Sequence, residues 1–336
     1  MAVNGINTVT KHADLTDEQV AIIERKVRLD LNKEQFFDKF YNHKSWQDGS
    51  KTMQYRKLIR PKVKKEDVKV AVENTAPSST PMSYATFKVE VNDYRDKISY
   101  TDEAVRYNID DVVVDATEQL TYIGKEKLDF IKAKPFVSSA CTVTPETKIV
   151  DTMNKAKIIL KKNRATRWQG NNYLMVTTPE VLSMLQAELR TLGASISEAT
   201  KEQLDMGAVG SWGGFLFVET ANDYFYKEAK HVIAFVGKDQ NGVSPFDTYA
   251  YDGRSIEVIH NPLGSGILVD EDGNVTSDDN KQKGSVAINM KGLAAVISND
   301  YSVLDCEFTA TTIAGSAIAV SAETGYVSGP STSPAA

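Results

Sequence analysis

Histidines and cysteines are this chain's first candidates for metal binding or nucleophilic chemistry. The four histidines lie in different segments of the 336 residues, at His12, His43, His231 and His260. None has a second ligand at the spacing of a metal site, which favours structural histidines over ligands. Cys141 and Cys306 are far apart in sequence, which favours buried free thiols in a reducing compartment. We therefore expect neither a metal site nor a bound cofactor.

Two motifs come close to known chemistry without completing it. Residues 210–213 (GSWG) resemble a nucleophile elbow, but Val209 stands where the Gly-x-Ser-x-Gly spacing requires a glycine. Residues 270–274 (DEDGN) resemble a calcium loop, but Lys281 stands where an EF-hand needs its twelfth-position glutamate, so a solvated hairpin tip is favoured. There is no glycine-rich phosphate loop and no dinucleotide-binding fingerprint. The sequence predicts no catalytic residues and a protein that is not an enzyme.

Charge is distributed unevenly along the chain. Residues 44–69, the hairpin basic segment, hold nine basic residues and three acids, a net charge of +6. Since the whole chain carries −6, the remainder carries −12. This segment could bind nucleic acid, with Tyr55 as a stacking ring, or be a solvated positive face, but such a segment on an acidic body suits association between copies better. Its candidate interface residues are Arg56, Lys57, Arg60, Lys62, Lys64 and Lys65.

Residues 101–133 form the longest helical pattern. One stripe repeats at three- and four-residue spacing, at Val113, Ala116, Leu120, Ile123, Lys127 and either Phe130 or Ile131. Thr101 is a candidate N-cap, and a second cap at Asn108 or Asp110 leaves open a short first turn followed by a long main helix. A continuous helix from Asp110 would span roughly 35 Å, enough to brace a sheet.

Helix and strand patterns are mixed along the rest of the chain, which predicts an α+β fold. Two short amphipathic helices are expected from Thr16 and Asn32, followed by an extended basic hairpin within residues 46–72. A further hairpin tip is expected near Asp272. Further helices are predicted at 148–162 and 179–189, and strands at 84–91, 94–100, 173–177, 215–218, 232–236, 255–259, 285–290 and 293–297.

Length and composition limit the class of protein. A chain of 336 residues exceeds the size at which one hydrophobic core stops growing, so two or more lobes are expected. The 41% apolar and 25% charged residues are typical of a globular protein. No apolar run approaches the roughly 18 residues that span a bilayer, and the N-terminus lacks the pattern of a signal peptide. We expect no membrane as a partner.

Three segments resemble a known family of shell proteins. They are residues 94–104 (YRDKISYTDEA), 209–220 (VGSWGGFLFVET) and 284–296 (GSVAINMKGLAAV). In their order of arm, basic hairpin, strand, long helix, mixed lobe and returning strands, roughly residues 30–310 resemble the major capsid proteins of tailed double-stranded DNA phages, which have the Hong Kong 97 fold. Within that group the chain is most similar to the N4-like major capsid proteins.

The resemblance implies a division of the chain and a function. Residues 1–44 would be the N-arm, 45–84 the E-loop that overlaps a neighbouring subunit, 85–140 the P-domain with the long helix as its spine, 141–283 the A-domain, and 284–336 a return to the P-domain with a tail. Copies of the chain would assemble into hexamers and pentamers. These would form an icosahedral phage head that encloses double-stranded DNA without sequence-specific binding.

Partners and location follow from the same resemblance. Portal and scaffolding proteins are expected partners, and a decoration protein is a further candidate. The chain would be a virion component assembled in the host cytoplasm. It would work without covalent cross-links and without shortening by a maturation protease. Two alternatives stay open: an encapsulin-type nanocompartment shell, which has the same fold, and a monomeric α+β enzyme or binding protein.

Overall fold

The described part of the chain contains four α-helices. The computed structural model describes residues 35–46, 51–59, 68, 70, 73, 82–107, 112–198, 207–227, 230–251, 256–261, 263–264, 267–269, 275–277 and 282–309. The helices are α1 (Asp102–Tyr107), α2 (Val112–Ala133), α3 (Ile149–Lys162) and α4 (Pro179–Thr191). None of these described helices is long and apolar enough to cross a membrane.

Within the described residues, the strands form two larger sheets and two separate pairs. In chain order they are β1 (Tyr41–Trp46), β2 (Thr52–Ile59), β3 (Ser83–Glu90), β4 (Asn92–Thr101), β5 (Tyr173–Thr177), β6 (Ser197–Glu198), β7 (Ala208–Trp212), β8 (Phe215–Glu219), β9 (Tyr226–Lys227), β10 (Lys230–Val236), β11 (Phe246–Tyr251), β12 (Ile256–Asn261), β13 (Ile267–Val269), β14 (Val275–Ser277), β15 (Lys283–Ile297) and β16 (Val303–Thr309).

The first sheet is built around the 15-residue strand β15. Its order is β1-β11-β15-β12, and β4 also pairs with β15. The two strands predicted at 285–290 and 293–297 are one strand, with a register shift between Met290 and Leu293. Gly292 has a φ of 65° at this shift, and its N–H donates to Asp93 Oδ1 at 2.8 Å. A β-bulge therefore explains the interruption in the apolar pattern.

Helix α2 packs its apolar face on the first sheet. Val113, Ala116 and Leu120 are buried as the stripe predicts, in a core cluster with Val286 and Ile288 of β15. In the second half, Gly124 and Leu128 are buried instead of Ile123 and Lys127, which are half-buried. The buried residues Leu120, Gly124 and Leu128 are four apart. With 3.6 residues per turn, both three- and four-residue steps stay close to one face of the helix. The glycine at position 124 lies on this buried side.

The second sheet has the order β16-β10-β5-β8-β7-β6, with β9 paired to β10. Both of its faces are covered, as alternate residues of β5 make clear. Tyr173 and Met175 lie in the core cluster that contains the buried residues of α3 and α4. Leu174 and Val176 lie in the cluster on the other face, with Phe225. Because successive side chains of a strand point to opposite faces, β5 is buried by one core cluster on each side of the sheet.

The long hairpin, formed by β2 and β3, differs from its predicted form. The two arms pair from Thr52 opposite Glu90 to Ile59 opposite Ser83, so the second arm lies beyond residue 72. The hairpin predicted around residues 270–280 is present as the pair β13–β14, with Val269 opposite Val275. The tip of that pair, including residues 270–274, lies outside the described residues.

The N-terminal prediction is wrong where it can be compared. Residues 1–34 lie outside the described residues. The helix expected from Asn32 is replaced by a 3₁₀ turn at Phe37–Phe40, followed directly by β1. Phe37 and Phe40 are fully buried in an aromatic cluster, and Tyr41 pairs with Phe246 of β11. Tertiary burial of these rings overrides the local helical pattern.

Candidate subunit interface

The hairpin basic segment is only partly within the described residues. Arg56 and Lys57 lie on β2, opposite Thr86 and Ala85 of β3. The Arg56 side chain is exposed. The other predicted interface residues lie outside the described residues: Arg60, Lys62, Lys64 and Lys65.

The root of the long hairpin is fixed to the first sheet by aromatic rings. Tyr55 of β2 packs on Tyr249 of β11, with 5.0 Å between ring centroids, and Tyr249 meets Trp46 edge-on at 5.9 Å. Val89 and Val91 complete this cluster from the other arm. Burial raises the pKa of the Tyr249 hydroxyl well above its usual range, and the nearby Asp247 carboxylate adds to the shift. The hairpin therefore leaves the sheet from a rigid, apolar attachment.

Beyond the root, the hairpin is exposed. In the described residues β2 pairs with β3 alone, which is a two-stranded ribbon. Val68, Val70, Met82 and Tyr84 are exposed, and Val70 keeps 90% of its accessible surface. An isolated two-stranded ribbon is marginally stable in water, and open strand edges pair readily with other chains. These features indicate a surface that is completed by a partner.

A groove of about 350 Å³ lies beside the root, between α2 and the first sheet. Its floor is apolar and includes Phe130, Ile131 and Leu293. Its rim is polar: Lys127 Nζ lies 2.5 Å from Asp96 Oδ1. Grooves that combine an apolar floor with a polar rim suit side chains from another protein.

A buried polar junction connects the N-terminal turn to the end of α2. Lys132 Nζ donates to Gln35 Oε1 and to Asp38 Oδ1, and Tyr41 Oη donates to the Lys132 carbonyl at 2.6 Å. Burial raises the pKa of Asp129, although its carboxylate accepts backbone N–H groups from Phe36 and Phe37. A buried lysine is tolerated because its charge is paired and hydrogen-bonded. The junction sets the direction in which the chain enters β1.

Ser211 and His231 lie in strands, and of the two thiols predicted to be buried, Cys306 is buried and Cys141 is half-buried. His12 and residues 270–274 lie outside the described residues. Ser211 lies within β7, opposite Leu216 of β8, and not at the strand-to-helix turn of a nucleophile elbow. His231 is fully buried, with its Nδ1 2.7 Å from Thr178 Oγ1. Cys141 and Cys306 are free thiols, and burial raises the pKa of Cys306 to about 11. Among the described residues, no three His, Cys, Asp or Glu side chains are grouped to hold a metal ion.

The structure is similar to solved shell proteins. The capsid of Ralstonia phage GP4 matches with a TM-score of 0.57 and 10% identity, over 82% of this chain and 88% of that chain. The mature capsid of bacteriophage PhiM1 matches with a TM-score of 0.55 and 10% identity, over 82% and 87%. The SrpI encapsulin of Synechococcus elongatus PCC 7942 matches with a TM-score of 0.54 and 11% identity, over 85% and 91%.

The chain has a capsid-type fold. It is a mixed α/β structure similar to the Hong Kong 97 fold of phage capsid proteins. No protein-family model and no curated protein sequence matches the chain. At 10–11% identity the likeness establishes the fold alone, and phage and encapsulin structures match about equally well. The three segments on which the sequence resemblance rests correspond to β4 with the start of α1, to β7–β8, and to β15.

Proposed function

We propose that the chain is a structural subunit that self-assembles into hexamers and pentamers, forming the icosahedral head of a phage around double-stranded DNA. The observation that carries this proposal is the long hairpin: an exposed, two-stranded, basic ribbon attached by a rigid aromatic root to a capsid-type fold. A monomeric enzyme or binding protein would have no use for such a ribbon. The subunit interface, and not a catalytic cluster, is then where function resides.

We propose domain boundaries that follow membership of the two sheets, and they differ from the boundaries predicted from the sequence. Residues 1–44 are the N-arm, and the E-loop proposed at 45–84 is extended through β3 to Glu90 because β3 is the second arm. The proposed P-domain consists of α2 and the strands of the first sheet other than β1, so it includes β11 and β12. The A-domain is the second sheet with α3 and α4, and it includes β16. Residues 310–336 belong to the proposed C-terminal tail, which lies outside the described residues.

The basic hairpin acts as an electrostatic clamp on the acidic remainder of a neighbouring subunit. The charges of +6 on residues 44–69 and −12 elsewhere are complementary between copies. Each exposed ion pair contributes only about 0.2–1 kcal/mol, but several per subunit are repeated around a closed shell. Arg56, Lys57, Arg60, Lys62, Lys64 and Lys65 are the proposed contact residues.

Other partners are proposed on the same basis. Portal and scaffolding proteins would join the shell during assembly in the host cytoplasm, a decoration protein is a further candidate, and no membrane takes part. The N4-like major capsid proteins are the proposed subfamily. An encapsulin-type shell is the second candidate function, favoured by the match to SrpI encapsulin. Nucleic acid inside purified particles, and portal and terminase genes beside this gene, would separate a phage head from a cargo compartment.

Particle formation tests the main proposal. Expressed protein should elute as capsomers or megadalton particles on size exclusion, and negative-stain images of the void fraction should contain closed shells. A protein that stays monomeric at all concentrations would contradict the proposal. Boiled particles should run as a single band on a denaturing gel, because no cross-link is expected. A ladder of covalent multimers would overturn that part.

A charge-reversal variant tests the clamp. Arg60→Glu, Lys62→Glu and Lys64→Glu together should leave the circular dichroism spectrum unchanged and abolish most particle formation. A matched variant reverses Lys161, Lys162 and Arg164, which are exposed at the end of α3, and should assemble normally. Wild-type assembly should also weaken with salt, because exposed charges are screened over about 8–10 Å. Normal shells from the hairpin variant would mean that its charge is a solvated face.

A further inference from the structure

A second basic region, away from the long hairpin, lies on the second sheet. Residues 152–179 contain six basic side chains and no acidic residue, a net charge of +6. With the +6 of residues 44–69, this leaves −18 for the rest of a chain that totals −6. The six are Lys155, Lys157, Lys161, Lys162, Arg164 and Arg167. Lys155 pairs with Glu146 at 2.7 Å, so the other five form what we call the α3 basic face.

The five side chains lie around the C-terminal half of α3 and the loop after it. Lys161, Lys162 and Arg164 are exposed. Lys157 Nζ donates to the Gly213 carbonyl at 2.5 Å, and Arg167 Nη1 donates to the Asn171 carbonyl at 3.2 Å. Within the part of the chain that the structure describes, no carboxylate lies within 4.0 Å of any of the five.

Three cations of the face, Lys157, Lys161 and Arg167, are close enough to repel each other. Burial lowers the pKa of Lys157, and the charges of Lys161 and Arg167 lower it further. Like charges held together in this way disfavour the protonated state unless an anion joins them. The free protein therefore carries an electrostatic cost that a bound anion would remove.

Arg164 occupies a backbone position that favours glycine. Its φ is 59°, two residues after α3 ends at Lys162. The Arg164 N–H donates to the Lys161 carbonyl, and the Ala165 N–H donates to the Leu160 carbonyl. This is a Schellman-type helix end, where the left-handed residue is usually glycine. An arginine that is kept in a disfavoured conformation points to a use for its side chain.

The helix dipole explains the presence of only some of the basic residues in the α3 basic face. Lysines in the last turn of a helix are favourable, which covers Lys161 and Lys162. Arg164 and Arg167 lie beyond the last turn, where the effect falls off. Asp300 lies next to Tyr301, whose carbonyl accepts Asn163 Nδ2 at 3.0 Å. Burial raises the pKa of Asp300, the opposite of what a close cation would do.

We propose that the α3 basic face binds the phosphate backbone of double-stranded DNA without reading its sequence. Lysine and arginine side chains that converge without carboxylate partners are the groups that contact phosphates. Lys161, Lys162 and Arg164 are exposed, and no carboxylate of the described residues lies within 4.0 Å of them, so a phosphate group can approach all three. In the proposed head, this DNA would be the packaged genome, which is the only step that rests on the proposed function.

Binding can be measured on the full-length chain in its unassembled form. Fluorescence anisotropy with labelled 30-base-pair duplexes of two unrelated sequences should give equal affinities that fall steeply between 50 and 200 mM salt. Replacing Lys161, Lys162 and Arg164 by Gln should weaken binding at least about tenfold and lower the salt slope by about 3. The matched control replaces Lys227, Lys230 and Lys291, which pair with Glu307 and Glu257, by Gln, and should change affinity less than about twofold.

A single variant separates folding from binding. Arg164→Gly should weaken binding as much as Arg164→Gln while its Tm is equal or higher, because glycine suits the left-handed position. Equal affinity in the wild type and the triple Gln variant would overturn the proposal. So would a triple variant that binds DNA normally but fails to assemble, which would assign the face to a subunit contact. Since binding is measured without particles, a failure of shell formation would affect the proposed function alone.

Discussion

The two basic regions carry the same net charge, +6, on very different supports. The hairpin basic segment is attached to the first sheet at one end, where Tyr55 meets Tyr249. The α3 basic face lies on a helix whose other side is core: Ile149, Ala156 and Leu160 have no exposed surface. One region therefore presents its charges on a ribbon that depends on a partner, and the other on a surface that exists before any partner arrives.

This difference explains why equal charge is assigned to different functions. A two-stranded ribbon gains stability when its edges and apolar side chains are covered, so it suits contact with another copy of the chain. A helix end that packs on the core keeps its backbone in place before a phosphate backbone binds, so only the exposed side chains lose freedom on binding. The support beneath the charges, more than their number, decides which partner is favoured.

The largest effect is expected at the hairpin root. Tyr249 is fully buried between Trp46 and Tyr55, and its truncation would leave a cavity under the ribbon. Tyr249→Ala should lower the free energy of unfolding by about 3–5 kcal/mol, the usual cost of removing a buried ring. Urea denaturation of the unassembled subunit measures this. Tyr84→Ala, on the exposed part of β3, is the control and should change stability by less than about 0.5 kcal/mol.

If the hairpin were held along its length, both substitutions would cost stability. An equal loss in Tyr249→Ala and Tyr84→Ala would contradict attachment at the root alone. DNA binding should persist in folded Tyr249→Ala protein, because the α3 basic face has its own core. Loss of both properties in that variant would mean that the two regions are not independent.

The positions of helices and strands could be predicted from the sequence better than the pairing between strands. Helices α2, α3 and α4 and strands β5, β8 and β10 have strong local periodicity, and their predicted positions are confirmed to within a few residues. The partner of β2 was placed within residues 46–72, but it is β3, beyond the intervening residues 60–82. Pairing across such a distance leaves no local signal, since alternation marks a strand and not its partner.

The sites were harder to predict for a related reason. The buried role of Lys132 is hidden because a lysine in the last turn of a helix is already explained by the dipole. The charge of the α3 basic face is hidden within the −12 of the chain outside residues 44–69, although residues 152–179 contain no acid. A local count of charge over those residues reveals it. The left-handed backbone of Arg164 had none, because arginine does not favour that conformation.

A pH-dependent effect is expected from Asp305 in β16, beside the second sheet's core. Burial raises the pKa of its carboxyl group to about 6. A folded-state pKa above the unfolded value means that the ionised group disfavours folding, so its contribution improves as pH falls through 6. Asp305→Asn should therefore stabilise the subunit by about 1–2 kcal/mol at pH 8. The advantage should shrink towards pH 4, where wild-type Asp305 is protonated.

Thermal unfolding of the wild type and the Asp305→Asn variant at pH 8, 6 and 4 measures this difference. A wild type and Asp305→Asn variant that unfold with the same pH dependence would contradict a raised pKa. The expected result would mean that protonation of Asp305 stabilises the second sheet, which supports the α3 basic face, at mildly acidic pH.

The smallest effect is expected at the start of α3. Glu188 of α4 accepts the Ile149 N–H at 3.1 Å and the Val150 N–H at 3.2 Å, and so supplies the cap that Lys148 does not. A carboxylate at a helix N-terminus also interacts favourably with the helix dipole. Glu188→Ala should lower the free energy of unfolding by about 1 kcal/mol, the typical cost of losing a cap.

Gln186→Ala, an exposed position on the same helix, should be close to neutral and is the matched control. DNA affinity should change less than about twofold in Glu188→Ala, because Leu160 and Ala156 hold the basic end of α3 in the core independently of the cap. Hydrogen exchange should quicken in the first turn of α3 and stay slow in the last. Faster exchange along the whole of α3, together with weaker DNA binding, would contradict this expectation. It would mean that the Glu188 cap is needed to hold the basic end of the helix, despite the burial of Ala156 and Leu160.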